Sequence, residues 1–165
     1  MIEVIPNLFV GSETDERRLS GQAGWFFIHA CKEPYHSRAL GYAPGKSAPK
    51  GAEYFYAWRE GQLILNLIDA PNPNFIPVEI IDVAIETIHK NISHSKILLH
   101  CNQGQSRSPS IALLYLLKHT DILAQKNIVA AIAAFQAIYP PYAPARGMAE
   151  YVRLNWNRYA QADSL

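Results

Sequence analysis

Apolar residues along this chain come in two patterns, short unbroken runs and longer stretches with a helical period. Trp25-Phe26-Phe27-Ile28-His29-Ala30 and Ile97-Leu98-Leu99 are unbroken, as expected of strands buried on both faces of a parallel sheet. Met1 to Val10 reads as two short strand pieces broken by Pro6-Asn7, with Gly11 closing the second. Tyr54 to Trp58 and Leu63 to Ile68 read as two strands joined by Arg59-Glu60-Gly61-Gln62. Helical periodicity starts between these runs. Thr14 to Leu19 is a short helix with Ser12 or Thr14 as cap and acids in its first turn. Pro77 starts a helix with Val78, Ile81, Ile85, Ile88 and Ile92 along one face. Ser110 to Lys118 is apolar and helical. Gln125 to Ile138 follows, with Ile128, Ala131, Ile132, Phe135 and Ile138 on its packing side, and Tyr139-Pro140-Pro141 ends it. Arg146-Gly147-Met148 opens a last amphipathic helix, in which Tyr151, Val152, Leu154 and Trp156 are expected to pack against the sheet. The pattern predicts an α/β fold: a central, mostly parallel sheet of four to five strands flanked by helices. At 165 residues the expectation is one domain, 1–165.

The chemistry concentrates where the Ile97 run ends. His100-Cys101-Asn102-Gln103-Gly104-Gln105-Ser106-Arg107-Ser108-Pro109-Ser110 takes the chain from a strand through a glycine-centred turn into a helix. Amides in such a turn, with the positive end of the helix dipole, form a nest for an anion. Pro109 suits the first helical turn and Ser108 can cap. The nest holds one thiol, Cys101, and one guanidinium, Arg107. A thiol facing amides and a guanidinium is favoured as the nucleophilic thiolate, and the planar Arg107 fork matches two oxygens of a phosphate. The plain alternative, a buried cysteine beside a surface arginine, leaves the glycine and the strand-to-helix placement unexplained.

His100-Cys101-x-x-Gly104-x-x-Arg107-Ser108 resembles the signature of the cysteine-dependent protein tyrosine phosphatase superfamily. Ser106-Arg107-Ser108-Pro109-Ser110 and the apolar residues after it look like the dual-specificity branch. Ile5-Pro6-Asn7-Leu8-Phe9-Val10-Gly11-Ser12 is similar to that branch's opening hairpin, and the tail to its C-terminal helix pair. The resemblance implies a dual-specificity phosphatase-like fold and hydrolysis of phosphomonoesters through a phosphocysteine on Cys101. The loop from Asn102 through Gln103, Gly104, Gln105 and Ser106 to Arg107 would bind phosphate. Ser108 would donate a hydrogen bond to the sulfur, and His100 would orient the loop. Asp69, in Asp69-Ala70-Pro71-Asn72-Pro73-Asn74 and 32 residues before Cys101, resembles the general acid. An aspartate merely starting a turn is the structural alternative. No cofactor is implied, and His100 has no partners at metal-ligand spacing.

Cys31 to Glu53 departs most from that pattern. It reads as a long loop with one helical turn, following a parallel strand at the end where α/β sites form. In the resembling family this segment shapes the pocket rim, which makes Lys32, Tyr35, His36 and Arg38 candidate substrate contacts; a solvated charged loop explains each equally. Cys31 lies where the lipid-phosphatase branch has a cysteine that can bridge the nucleophile, against ordinary burial of a small residue.

Composition narrows the reading. Net charge is +1 and apolar residues make up 49%, which excludes a disordered chain and argues against a nucleic-acid partner. Two distant cysteines do not make a disulfide framework. With no basic-then-apolar leader and no run long enough to span a bilayer, a cytoplasmic monomer without membrane contact is expected. The uncharged loop residues disfavour a polyphosphorylated lipid, because relatives acting on phosphoinositides tend to carry lysines there. A phosphorylated protein or peptide is therefore the expected substrate, phosphotyrosine first and phosphoserine or phosphothreonine after it. Other readings are a phosphate-binding module without turnover, a phosphatase for non-protein phosphomonoesters, and a sulfurtransferase; the last needs neither Asp69 nor the Arg107-Ser108 pair.

Overall fold

The computed structural model describes residues 1–124 and 127–160. Its core is a six-stranded sheet in the order β1-β2-β6-β3-β5-β4. The strands are β1 (Ile2–Ile5), β2 (Leu8–Ser12), β3 (Trp25–His29), β4 (Tyr56–Arg59), β5 (Gln62–Leu65) and β6 (Lys96–Cys101). β2, β6, β3 and β5 run parallel, with β1 and β4 added antiparallel at the edges. The expected four to five strands therefore become six, since both edge strands join the sheet through tight hairpins. The continuous apolar runs do lie inside: Ile28, Leu63, Leu65, Ile97, Leu98 and Leu99 are all fully buried.

Helices α1 (Glu13–Leu19), α2 (Ser37–Leu40), α3 (Val78–Asn91), α4 (Arg107–His119), α5 (Ile128–Ile138), α6 (Arg146–Leu154) and α7 (Trp156–Tyr159) complete the described fold. Ser12 caps α1; its amide donates to Asp15 Oδ2 at 2.9 Å. α3 packs on β5 and β6, and buries Ile80 and Ala84 as well as the predicted Ile81, Ile85 and Ile88. α4 lies over β2 and β6 and is buried without a break from Ser108 to Leu117. It begins at Arg107 rather than Ser110, so Ser108 sits inside the first turn and does not cap. In α5 the side chains of Ala131 and Phe135 reach the core; the predicted start at Gln125 lies outside the described residues. No described helix is long and apolar enough to cross a membrane.

Two segments differ from their sequence reading. Lys32–His36 forms a wide π-helical turn that leads directly into α2, so the supposed loop opens as two short helical pieces. His36 is buried there, its ring nitrogens 2.7 Å from Tyr42 Oη and 2.9 Å from the Glu53 carbonyl, which draws the segment back on itself. The helix predicted from Arg146, α6, packs against α4, α7 and the 3-10 turn Pro73–Phe75, not the sheet. Met148, Tyr151 and Val152 face that contact, whereas Leu154 is 59% exposed.

The α6 contact is close because it is made through Gly147. A Cβ built there would lie 1.8 Å from the Ala70 carbonyl oxygen. Helix propensity alone favours Gly147→Ala by about 1 kcal/mol; the contact demands the reverse. The expected outcome is a lowered denaturation midpoint for Gly147→Ala, read by chemical unfolding. The buried histidines set a second expectation. Burial pushes His29 down to about 4 and His100 to about 3, and it also lowers His36 and His119. An unfolded histidine titrates near 6.5, so the unfolded chain binds more protons than the folded one between that pH and the depressed values. Their contribution is present in full above about pH 6.5 and is lost as pH falls toward 4. The urea midpoint should accordingly fall between pH 7 and pH 5.

Candidate active site

The parallel sheet delivers Cys101 to the carboxyl end of β6, and the chain turns at once into α4. The turn is tight because Gly104 sits at φ 71° against the Gly11 backbone; a Cβ there would stand 2.7 Å from Gly11 O. Only glycine meets both the left-handed conformation and the contact.

The loop is held by its carbonyls. Glu13 N donates to Asn102 O at 3.2 Å, Tyr139 Oη to Gly104 O at 2.7 Å and Ala143 N to Gln105 O at 2.9 Å. Among the described residues, the amides of Gln103, Gly104, Gln105 and Ser106 have no protein acceptor. With three of its carbonyls held by neighbours, the loop keeps its donors for an anion at the N-terminus of α4.

A cavity of about 390 Å³ opens over this loop, lined by Asp69, Cys101, Asn102, Gln103, Gln105, Ser106, Arg107, Ala143 and Ala145. The guanidinium of Arg107 is fixed at two points: Nη1 donates to Leu67 O at 3.0 Å and Nη2 to Asn102 Oδ1 at 2.6 Å. Its Nε is buried without any acceptor. A buried, partnerless charged donor is costly unless a ligand supplies the acceptor. Asn102 is itself braced, its Nδ2 donating to Glu33 O at 3.0 Å.

The Ser108 hydroxyl stands 3.2 Å from Cys101 Sγ and 3.4 Å from Gly11 O, facing the sulfur instead of a helix end. Ser106 occupies the N-cap position of α4, but its side chain joins two loops. It donates to Asp69 Oδ1 at 3.0 Å and accepts from Ala145 N at 2.9 Å. Asp69 is thereby brought to the wall of the cavity that Cys101 and Arg107 also line. His100 lies behind the loop, fully buried, its Nδ1 3.4 Å from Cys101 O.

The four candidate rim residues do not line this cavity, because their side chains turn to other neighbours although the backbone of the turn after β3 touches the loop. Tyr35 stacks on His29 and, with Arg38, lines a separate hollow of about 290 Å³. His36 is interior, as described above. Lys32 donates to Lys46 O and borders another groove with Phe55 and Phe75. Cys31 is buried and free, one residue past Ala30, whose amide donates to His100 O. Burial pushes its thiol up, against the opposing charge of Arg107. Sequence reasoning missed Tyr139, Ala143 and Ala145, which hold and line the loop, and His29, which meets His100. Only the breaker Tyr139-Pro140-Pro141 marked that region, and it signals a helix end, not a site. Among the described residues no cluster of three or more histidine, cysteine or acidic side chains is placed to hold a metal.

No protein-family model matches the sequence, and no curated protein matches it. Solved structures do. Human DUSP28 superposes with a TM-score of 0.63 at 18% identity, covering 95% of this chain and 93% of that one. DUSP15 gives 0.63 at 19% identity, covering 94% and 86%. The human tyrosine phosphatase-like serine/threonine/tyrosine-interacting protein gives 0.60 at 18%, covering 95% of each chain. With a parallel sheet feeding a Cys101-to-Arg107 loop into a buried helix, the chain has the fold of the dual-specificity, cysteine-dependent phosphatases.

Proposed function

We propose that this protein is a phosphomonoester hydrolase, a protein-tyrosine or dual-specificity phosphatase that works through a phosphocysteine on Cys101. The observation that carries the reading is Arg107 in the wall of a cavity that also presents Cys101 and Asp69, with its Nε–H buried and without an acceptor. Two of the five guanidinium N–H groups lock the side chain in place; of the three that remain, Nε–H and the second N–H of Nη2 can meet two phosphate oxygens. Loop amides take up the rest of the charge, which grows on the equatorial oxygens as the ester bond breaks.

In the first half-reaction the Cys101 thiolate attacks phosphorus in line. An S–P bond forms, the P–O ester bond breaks, and Asp69 as acid passes its proton to the departing oxygen. In the second, water attacks the phosphocysteine and gives a proton back to the Asp69 carboxylate. The S–P bond breaks, and the Ser108 hydroxyl at 3.2 Å stabilises the leaving thiolate. His100 acts on the loop from behind and touches no substrate.

The cavity also supports the substrate class. Arg107 is the one cation among its described lining residues, and Ala143 and Ala145 give it a small apolar wall. One phosphate on an apolar or aromatic stem fits those walls, in keeping with a phosphotyrosine side chain; inositol polyphosphates would need further cations. Cys31 serves in this reading as a redox partner. Peroxide converts Cys101 to a sulfenic acid, and the Cys31 thiol displaces water from it to form a disulfide.

Turnover of an aryl phosphate by the purified chain tests the proposal. Cys101→Ser should abolish phosphate release. Asp69→Asn should lower kcat by roughly 10²–10⁴-fold at neutral pH on a phosphate ester with a poor leaving group. Ser108→Ala should slow the second step, so that phosphocysteine accumulates under acid quench. Release that persists in Cys101→Ser would refute the assignment. A wild type that binds phosphate without turnover would mark a binding module. Phosphotyrosine peptides against small phosphomonoesters, compared by kcat/KM, decide the substrate class.

A further inference from the structure

His100 has a partner that the steps above do not use. His29 on β3 lies in register with His100 on β6, and His29 Nδ1 stands 2.6 Å from His100 Nε2, both residues buried. On its far side, His29 Nε2 lies 3.1 Å from Oε1 of Gln62 on β5. Tyr35 covers the pair: its ring stacks on His29 at 4.3 Å and meets His100 edge-on at 5.0 Å. The Tyr35 hydroxyl is tied down by donation to Glu16 Oε2 at 3.0 Å. A line of polar groups thus runs from Gln62 through two imidazoles to the carbonyl of Cys101, where the anion loop begins.

Proton counting gives that line a direction. Burial holds both rings neutral near pH 7, so each carries one N–H, and the 2.6 Å contact takes one proton. Suppose His100 Nε2 supplied it. His100 Nδ1 would then be bare, lone pair against the lone pair of Cys101 O. Suppose instead that His29 Nδ1 supplies it. His100 Nδ1–H then points at Cys101 O, and His29 Nε2 accepts from Gln62 once its carboxamide is turned end for end so that NH₂ replaces Oε1 at the 3.1 Å contact, an exchange that leaves its shape unchanged. The second order leaves no acceptor facing an acceptor.

We propose that His29 and Gln62 are positioning residues for Cys101: they hold His100 in the Nδ1–H tautomer, which clamps the Cys101 carbonyl. The peptide plane that carries Cys101 O also carries Asn102 N–H. Fixing one end of that plane sets the direction from which the loop's amides fan toward phosphate. The proposal rests on the phosphatase reading for its kinetic consequences and on the geometry alone for the tautomer.

The test has two readouts. Imidazole ¹H–¹⁵N correlation spectra of the folded wild type should show His100 protonated at Nδ1; protonation at Nε2 overturns the proposal whether or not the protein turns over. On an aryl phosphate, His29→Phe, which keeps a ring but no nitrogen, should lower kcat about tenfold with KM unchanged. His29→Asn places a carboxamide N–H near the position of Nδ1 and should recover kcat to within about threefold of wild type. Equal losses in both variants, or a raised KM with kcat intact, overturn the proposal. Should His29→Phe fail to fold, Gln62→Leu at its half-exposed site replaces it, with loss of the single Nδ1–H signal of His100 as the expected result. An unchanged tautomer in Gln62→Leu removes Gln62 from the assignment. Complete absence of wild-type turnover would sink the phosphatase reading, while the spectra would still decide the relay.

Discussion

Everything in this structure depends on keeping one short loop's donors empty while satisfying its acceptors. From Asn102 to Ser106 the chain makes almost no regular structure, yet it lies at the centre of the fold between β6 and α4. A buried loop with unmet carbonyls would be costly. Three donors from two segments far apart in sequence meet that need: Glu13 N at the start of α1, and Tyr139 Oη and Ala143 N in the stretch after α5. The loop amides and Arg107 Nε are left over. Evenly satisfied, this loop would be a stable turn and nothing more; its one-sided bonding is what supports the proposed role as a receptor for a tetraoxo anion.

Which parts of this were legible in the sequence follows from the range of the contacts involved. The proposed nucleophile, the arginine, the glycine and the serine that faces the sulfur lie within eight residues, and a strand-to-helix turn fixes their relations locally. Asp69 was legible as a carboxylate delivered by a strand into a turn. Its hold on Ser106, and the seat of that turn against Gly147, came only with the fold. The rim was misread for a related reason. A segment that follows a parallel strand emerges at the functional end of the sheet, but where its side chains go depends on what they meet next. Tyr35 meets two buried imidazoles and turns inward onto them. His36 is drawn inside by Tyr42 and the Glu53 carbonyl. No local pattern announces either outcome.

The strand count shows the same division at a coarser scale. Unbroken apolar runs mark strands buried on both faces, and the four parallel strands include the two clearest runs. Edge strands carry mixed patterns because one flank meets solvent, as Trp58 and Arg59 do on β4. Their membership of the sheet is decided by hairpin geometry with β2 and β5, not by hydrophobicity.

The Ser106 hydroxyl ties the two halves of the proposed chemistry together. It donates to Asp69 while accepting from Ala145 N, and its own backbone belongs to the anion loop. A shift of that loop as it closes on phosphate therefore moves the Ser106 side chain, and Asp69 with it. The aspartate turn is further confined by the close approach of α6, whose Gly147 leaves no room for a Cβ beside the Ala70 carbonyl. With one residue held by the loop and the next by the helix, the carboxylate has little room to move independently of the phosphate site. In the proposed mechanism the loop that would hold the phosphate therefore also sets where the Asp69 carboxylate stands relative to the leaving oxygen.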